Sequence, residues 1–507
     1  MVKDMKKEVK TPRDEGEDKT GEVDQGLVIG IDLGTSNSLV SYIKNGSPRI
    51  IPNERGERMT PSVVHFRENG DVMVGQMAKN QAVINSERTV SLVKLAMGSD
   101  RVYTISDRQY TPVEISSYIL AHLKKSAGAY LGHPVSRAVI TVPAYFNDRQ
   151  REDTLKAAEM AGLSVLKLLN EPTAAALVYG FSRQKETSLL VIDLGGGTLD
   201  ITLMAYEGKV FQVKGVGGST SIGGSMLDTI IVDKIIQDFM EMHGIDLKGD
   251  KIALQQLMIN AEKAKIDLSS TEETQILIPY ITVTPKGPIH LNMTLGRQDF
   301  EQLTSGVFHE ICRHIDQTFE KSRLKPDWVD SVILVGGSTR VPRLESCVRE
   351  ILSSSGEHER DIKRNIHPDE AVARGAGILA GILEGSISDI EFHDITPHDL
   401  GIEDDDGEFI PIIPRGESYP TRAAHIVTNT EDNQESVVIN VLQRMGMDQK
   451  SLLSLGWFEL SIDPKKVKHQ ASIEITFAID GNGLLEVTAM DLDTGDARAI
   501  QIHTQGI

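Results

Sequence analysis

The chain has almost no cysteine, no long apolar run and no excess of basic residues. Its two cysteines, Cys312 and Cys347, show neither CxxC spacing nor a pair of histidines at ligand spacing. This argues against a zinc site or a disulfide framework and predicts two reduced thiols in a cytosolic protein. No apolar run approaches ~20 residues, so no membrane span is expected. The formal net charge of -20 argues against nucleic-acid binding, which needs a basic face.

The first 26 residues mix lysine with aspartate and glutamate and contain no apolar stretch. This pattern is wrong for a signal peptide and too acidic for a mitochondrial transit peptide. We therefore expect residues 1–26 to form a disordered charged extension of a cytoplasmic protein.

Alternating strand and helix patterns over residues 27–385 predict an α/β fold. LVIGIDLG followed by NSLVSYIKNG predicts a hairpin whose turn is residues 34–37. Similar text recurs in LLVIDLGGGTLDITLMAY, so that Asp32 and Asp193 occupy matching positions. A repeat of a whole strand–turn–strand unit at this long spacing predicts a duplicated, two-lobed domain rather than a solenoid.

The pattern changes near residue 389. VVINVLQR, SIEITFAID and LLEVTAMD have the length and patterning of strands, and Asp480-Gly481-Asn482-Gly483 predicts a hairpin turn between the last two. The predicted units are the extension 1–26, a nucleotide-binding domain 27–388, a linker 389–396 and a small all-β sandwich 397–507.

The two matching turns carry the clearest chemistry. Backbone N–H groups and hydroxyls at the turn after Asp32 can cradle phosphate oxygens, while the carboxylate approaches a cation through water. Alone, this turn also fits an ordinary hairpin. The second copy has three consecutive glycines, which are costly in a hairpin unless the backbone approaches something closely. Together, the two turns predict a phosphate chain held between them and one Mg²⁺ near Asp32 and Asp193.

Two further glycine pairs are less specific, since such pairs also serve turns. Gly336–Gly337 follows a buried strand and precedes Arg340, so a base and sugar can lie against backbone and the guanidinium can stack on the base. Gly223–Gly224 opens a predicted helix whose N-terminus can face phosphates.

At this point the residues resemble one family, the DnaK-type heat-shock chaperones of the actin, hexokinase and heat-shock ATPase superfamily. The segments that carry the resemblance to its ATPase domain are GIDLGTSNS, AVITVPAYFNDRQRE, LNEPTAAAL, DLGGGTLDI, AEKAKIDLSS and VILVGGSTRVP. DITPHDLGIE, TNTEDNQESVVINVLQ and FAIDGNGLLEVTAMD resemble its peptide-binding domain. The resemblance covers roughly residues 27–507. It implies an actin-like ATPase domain followed by a β-sandwich, in an ATP-dependent molecular chaperone that binds extended hydrophobic peptide segments, with hydrolysis coupled to peptide affinity.

Carried over position by position, the resemblance implies specific roles. ATP and ADP would bind with Mg²⁺ at Asp32 and Asp193, and with K⁺ as a further cation. The catalytic residues would be Lys94, Glu171, Thr198 and Asp200. The nucleotide contacts would be Gly34, Thr35, Ser36, Asn37, Gly195, Gly196, Gly197, Gly223, Gly224, Glu262, Lys265, Ser269, Gly336, Gly337, Ser338 and Arg340. Pro143 and Arg151 would relay the nucleotide state.

In the β-domain, the resemblance implies capture of an extended peptide by backbone hydrogen bonds and one apolar pocket. Val427, Val437, Ile439 and Ile473 would line the pocket, with Phe409 and Thr430 bridging over the peptide. Plain alternatives exist for these residues and for others. The pocket residues also fit an ordinary core, Lys94 alone fits a solvated surface lysine, and Glu171 fits a carboxylate at a helix N-terminus.

Three features depart from the family pattern. The linker carries Glu391 and His393, which would cost desolvation in an apolar groove and so weaken coupling; replacing both with leucine is expected to raise peptide-stimulated turnover. Ser219 and Ser221 stand for an aspartate and a histidine, and Ser225–Met226 stands where acidic residues are usual, which predicts slower turnover or altered nucleotide exchange. The sequence ends at Ile507 after the last predicted strand, so we expect a lidless peptide domain with fast peptide exchange.

Two other functions remain open from the sequence. One is a nucleotide-binding scaffold with little hydrolysis and one specific partner. The other is a small-molecule kinase, such as a sugar kinase, which would need a catalytic base and a second domain built for a polar substrate. For the chaperone, the expected partners are unfolded peptides, a J-domain co-chaperone and a nucleotide exchange factor, with no nucleic acid and no membrane.

Overall fold

The computed structural model describes residues 27–501, apart from residues 182–185, 286, 354–360, 364–366, 388–389, 405, 445–451 and 464. The predicted extension 1–26, the first linker residue Asp389 and the terminal residues 502–507 lie outside the described residues. The helices are α1 (Gln76–Gln81), α2 (Pro112–Leu131), α3 (Asp148–Met160), α4 (Glu171–Phe181), α5 (Gly224–His243), α6 (Lys251–Leu268), α7 (Arg297–Leu303), α8 (Ser305–Ser322), α9 (Pro342–Ser353) and α10 (Ala371–Leu383).

The strands fall into two sets. Those of the α/β part are β1 (Val28–Asp32), β2 (Asn37–Lys44), β3 (Ser47–Ile51), β4 (Thr60–Pro61), β5 (Val64–Phe66), β6 (Val72–Val74), β7 (Thr89–Val90), β8 (Tyr103–Ile105), β9 (Arg108–Tyr110), β10 (Arg137–Val142), β11 (Ser164–Asn170), β12 (Thr187–Leu194), β13 (Leu199–Glu207), β14 (Val210–Ser219), β15 (Glu273–Thr284), β16 (Gly287–Gly296), β17 (Ser331–Val335) and β18 (Asp361–Lys363). The remainder are β19 (Glu391–His393), β20 (Asp399–Glu403), β21 (Phe409–Ile413), β22 (Thr421–Val427), β23 (Ser436–Arg444), β24 (Leu452–Ser461), β25 (Ile473–Ile479), β26 (Leu485–Asp491) and β27 (Ala497–Gln501).

Two large sheets repeat one topology, which confirms the predicted duplication. The first has the order β11-β10-β1-β2-β3, and the second contains β18-β17-β12-β13-β14. In each sheet three antiparallel strands joined by tight turns are followed by two strands that add in parallel. We call the first sheet with its covering helices lobe I and the second lobe II. Helices α4 and α10 form an apolar cluster together with residues from both sheets.

Capping boxes fix the starts of α2 and α3. The Thr111 hydroxyl accepts a hydrogen bond from the Glu114 backbone N–H, while the Glu114 carboxylate accepts one from the Thr111 N–H at 2.7 Å. Asn147 caps α3 in the same reciprocal way with Gln150. Because each capping box satisfies two otherwise unpaired N–H groups, these residues fix where α2 and α3 begin.

The C-terminal part is a sandwich of two four-stranded antiparallel sheets, with the orders β21-β20-β23-β24 and β22-β25-β26-β27. Ile473, Phe477 and Val487 are fully buried in its apolar core. The turn Asp480–Gly483 joins β25 to β26, as the sequence predicted. We call residues 397–501 the β-domain.

The expectation of two reduced thiols is wrong for this structure, in which Cys312 and Cys347 are joined by a disulfide. Cys312 lies on α8 and Cys347 on α9, and the packing of these helices brings the two Cα atoms to 6.1 Å. Sequence spacing gave no sign of this because the pairing is set by helix packing. As for membrane spans, none of the helices in the described ranges is long and apolar enough to cross a bilayer.

Candidate functional site

A cleft of about 370 Å³ lies between the two lobes. Its walls bring together 18 of the residues that the sequence assigned to nucleotide, metal and catalysis, including both carboxylates Asp32 and Asp193. The others are Gly34, Thr35, Ser36, Asn37, Lys94, Glu171, Gly195, Gly196, Thr198, Glu262, Lys265, Ser269, Gly336, Gly337, Ser338 and Arg340. Gly197, Asp200, Gly223 and Gly224 are not part of this lining and lie behind it.

Lys94 and Glu171 form a buried ion pair at the floor of the cleft. Lys94 lies in a short 3₁₀ turn and Glu171 is the first residue of α4; the Nζ and Oε1 atoms are 2.5 Å apart. Each residue is only 6% exposed, so the alternative of a solvated surface lysine is excluded. Breaking such a pair strands one buried charge, which is strongly unfavourable.

Three aspartates lie near Glu171. Asp193 and Asp200 are directly opposite each other on β12 and β13, and the Thr141 hydroxyl donates a hydrogen bond to Asp32 at 3.3 Å. Burial, followed by the charge of Glu171, raises the pKa of Asp32 and of Asp200 to about 7. The same two causes raise the pKa of Asp193 well above its ordinary value. A cation at this place would relieve that repulsion.

The residues fit Mg²⁺. The described residues hold no group of three or more His, Cys, Asp or Glu side chains able to enclose a metal, so an ion at Asp32 and Asp193 would take its other ligands from water and phosphate. Mg²⁺ is usually bound in this way, through one or two carboxylates. Among the described residues the buried Asp200 Oδ2 has no hydrogen-bond partner, although Oδ1 accepts a hydrogen bond from the Tyr145 N–H at 3.0 Å. Such an unpaired acceptor suits a polarised water.

Gly223 supports the second glycine turn from behind. A Cβ added at Gly223 would lie 2.5 Å from the Gly197 backbone, so only glycine allows the two segments to approach. The Gly224 N–H donates to the Gly195 carbonyl at 2.9 Å, and the Ser225 N–H donates to the Gly196 carbonyl at 2.8 Å. The start of α5 therefore fixes the shape of this turn through its backbone.

At the other end of the cleft, side chains from α6 and from the segment around Gly336 meet. Gly336 has a φ of +83°, a backbone conformation that glycine adopts without strain. Lys265 Nζ donates to the Gly224 carbonyl at 3.0 Å and to Asp228 at 2.8 Å. Arg340 pairs with Asp369 at 2.8 Å. Sequence reasoning missed Asp228 and Asp369, because a lone carboxylate in or just before a helix is ordinary.

A salt bridge spans the cleft. Lys79 on α1 reaches Glu262 on α6 at 2.8 Å, with about a third of each side chain exposed. The sequence assigned Glu262 to the nucleotide but gave no partner for it, since the two residues are far apart in the chain.

Replacing Lys79 with methionine is expected to speed ADP release by about two- to fivefold, since a partly exposed pair contributes up to about 1 kcal/mol. Stopped-flow displacement of a fluorescent ADP analogue measures the rate. Lys248→Met, at an exposed lysine of lobe II, is the control. Unchanged release from Lys79→Met would show that the salt bridge does not hold the lobes together.

The β-domain contacts the rear of lobe I through its 480–483 turn. Asn482 accepts hydrogen bonds from Arg151 Nη1 at 3.4 Å and from the Leu168 N–H at 3.1 Å, and Lys167 donates to the Gly481 carbonyl. The Leu485 N–H donates to Asp148 Oδ1 at 2.8 Å. The predicted relay residue Arg151 is thus 3% exposed and located at a domain boundary. Pro143 is buried nearby, just after β10.

The linker corrects the expectation made for Glu391 and His393. Residues 391–393 form β19, which adds in parallel to the edge strand β14 of lobe II. The side chains of Glu391 and His393 are 71% and 50% exposed, whereas Phe392 is partly buried against the apolar cluster of α4 and α10. Because strand side chains alternate in direction, the two polar groups remain in water and incur no desolvation penalty.

The predicted peptide residues lie in or beside the core of the β-domain. Ile439 and Ile473 are buried, and Val427 and Val437 are partly buried against the same core. The ring of Phe409 lies 4.7 Å from the Arg444 guanidinium carbon, and Thr430 follows β22 in a loop. The apolar four therefore lie together, and their role toward a peptide stays a prediction.

Comparison with known proteins agrees with the family resemblance of the sequence. A family model described as Hsp70 protein matches residues 28–506. Among the most similar relatives are two proteins named chaperone protein DnaK, from Thermosipho melanesiensis and Thermosipho africanus. Both are 44% identical to this chain over 481 residues, or 94% of its length, and the match covers 80% and 79% of their own lengths.

Proposed function

Because this chain belongs to the Hsp70 family and is an ATP-dependent chaperone with ATPase activity, we propose that it hydrolyses Mg²⁺-bound ATP in the interlobe cleft. The buried pair Lys94–Glu171, facing three aspartates between two glycine turns, carries this proposal. Phosphoryl transfer requires mainly positioning and charge stabilisation, and this arrangement provides both.

Each group has a defined task in the proposal. Asp32 and Asp193 hold the hydrated ion, which supplies neutralisation of phosphate charge when bound. Lys94 contacts the terminal phosphate, and Glu171 orients both Lys94 and the attacking water. Asp200, held by the Tyr145 N–H, accepts a hydrogen bond from that water with its unpaired Oδ2. The backbone N–H groups of both turns and the Thr198 hydroxyl bind phosphate oxygens.

The adenosine end is proposed to lie between α6 and the Gly336–Arg340 segment. Glu262, Lys265 and Ser269 line one wall, and Ser338 and Arg340 line the other. The Arg340 guanidinium pairs with Asp369 and is proposed to stack on the base.

Hydrolysis is proposed to be coupled to an extended apolar peptide held by the β-domain. Support comes from the continuous contacts that connect Asp200, through Tyr145 and the following α3, to the 480–483 turn. A J-domain co-chaperone, a nucleotide exchange factor, a role in the heat-shock response and a cytoplasmic location complete the proposal by family resemblance. K⁺ as a second cation is proposed on the same ground.

Single-turnover hydrolysis of ATP tests the assignment of the site. Wild-type protein is expected to convert bound ATP to ADP and phosphate, and Thr198→Ala, which removes a phosphate ligand at the second turn, is expected to be slower by at least tenfold. Nucleotide affinity measured by titration separates loss of chemistry from loss of binding. Equal rates for the two proteins would refute the assignment of Thr198.

The scaffold alternative has one observation in its favour. The hydroxyls of Ser219 and Ser221 hydrogen-bond to each other at 3.1 Å, where the family pattern has an aspartate and a histidine. The same single-turnover assay decides the point, since a scaffold would show no hydrolysis above Thr198→Ala. The kinase alternative is not favoured by the relatives.

A further inference from the structure

Lys265 on α6 lines the cleft, yet its ammonium group is bound to the first turns of α5. The Nζ atom lies 2.8 Å from each carboxylate oxygen of Asp228 and donates a hydrogen bond to the Gly224 carbonyl at 3.0 Å. Lys265 is 9% exposed and Asp228 is 7% exposed, so water has little access to the pair. Residues 223–230 contain no other acidic side chain. Within this segment, Asp228 is therefore the residue that balances the charge of Lys265.

Gly224 connects this ion pair to the second glycine turn, residues 195–198. Its carbonyl accepts the hydrogen bond from Lys265, while its N–H donates to the Gly195 carbonyl at 2.9 Å. A Cβ added at Gly224 would lie 2.9 Å from Lys265 Nζ and 2.4 Å from Ser338 Oγ. Because glycine has no Cβ, both side chains can approach this point of α5.

Ser338 holds the same turn from the other side of the cleft. Its hydroxyl donates to the Gly195 carbonyl at 3.0 Å, so that this carbonyl accepts two hydrogen bonds, one from Ser338 and one from Gly224. The family resemblance implied that Lys265 and Ser338 line the adenosine pocket. In the structure, both side chains also brace the backbone of the second glycine turn.

We propose that Asp228 is a positioning residue for the phosphate end of the nucleotide, because it holds Lys265 against Gly224 and so fixes the second glycine turn. Backbone N–H groups bind a phosphate well only when they point to one place, and a turn that is fixed in advance loses little entropy on binding. Lys265 then serves the phosphates through the backbone and adds little to the affinity for adenosine. This inference rests on the proposed function, since it requires a nucleotide in the cleft.

The competing role for Lys265 is a direct hydrogen bond to the adenosine. Two ligands separate these roles, because ADP carries a diphosphate and adenosine does not. Loss of a direct adenosine contact weakens the binding of both ligands by the same factor. Loss of the turn geometry weakens the binding of ADP and leaves that of adenosine nearly unchanged.

The test titrates the full chain by calorimetry with ADP and Mg²⁺ and, separately, with adenosine. The variants are Asp228→Asn, which keeps the shape of the side chain but removes its charge, and Lys265→Met. The double variant leaves no unpaired buried charge and covers the case in which a single variant fails to fold. Asp233→Asn and Lys263→Met, at exposed positions on the same two helices, are the matched controls. Thermal unfolding without nucleotide checks that every variant folds.

Each single variant is expected to weaken ADP binding about tenfold or more and adenosine binding less than about twofold, since a buried hydrogen bond between charged groups is lost. The double variant should resemble the single variants, because the two residues act as one unit, and the controls should match wild type. Equal losses for the two ligands, or unchanged ADP binding, would overturn the inference. Wild-type protein that binds neither ligand would instead overturn the proposed function, and this inference with it.

Discussion

Replacing Lys94 with methionine is expected to lower single-turnover hydrolysis by about 10²–10³-fold, the usual cost of removing one preorganised charge from a developing oxyanion. Methionine keeps most of the apolar stem but removes the cation, whose nitrogen lies 5.7 Å from the centre of the Phe146 ring. Glu171 would then lie near three aspartates without its Lys94 partner. The loss should therefore appear in the rate of chemistry more than in nucleotide affinity.

The experiment compares Lys94→Met with Lys44→Met, which changes an exposed lysine of the same lobe. Rapid-quench measurement gives the hydrolysis rate, and calorimetric titration gives the ATP affinity. Thermal unfolding checks that both variants fold. A Lys94→Met rate within tenfold of wild type would contradict the catalytic role and leave the pair a structural one.

The sequence predicted the parts of this site that depend on local chain geometry. The sequence repeats one strand–turn–strand segment, first at Asp32 and again at Asp193. The shared topology of the two sheets follows from that repeat. The burial of Lys94 was not predictable from composition, because it depends on a 3₁₀ turn packed against α2 and on the ion pair with Glu171. Only the match of many long segments to one family argued against the surface alternative in advance.

Contacts between distant segments could not be predicted from the sequence. The disulfide joins two helices, the Lys79–Glu262 bridge joins two lobes, and His398 meets Tyr145 across a domain boundary. None of these leaves a local pattern, since each partner alone fits an ordinary surface or core position. The prediction for the linker was wrong for another reason. It considered the polarity of Glu391 and His393 but not the direction in which a strand points each side chain.

In β19 the side chain of Phe392 points toward the apolar cluster, so Phe392, and not Glu391 or His393, is expected to determine how strongly the linker docks. Phe392→Ser is expected to abolish most peptide stimulation of ATP turnover, because Phe392 anchors β19 against the apolar cluster of α4 and α10. Lys167 Nζ also lies 5.8 Å from the centre of its ring. Removing a partly buried aromatic ring costs about 1.5 kcal/mol, which weakens linker docking roughly tenfold.

The double variant Glu391→Leu with His393→Leu is the matched control, because both side chains project into water. Its stimulated turnover should stay within about twofold of wild type, since surface changes of this kind alter stability by about 0.5 kcal/mol at most. Steady-state phosphate release with and without a saturating apolar peptide measures both variants, and basal turnover reports on the catalytic cleft. Stimulation that rises strongly in the double variant, or survives in Phe392→Ser, would mean that the linker signals through the outward face of β19 and not through the buried ring.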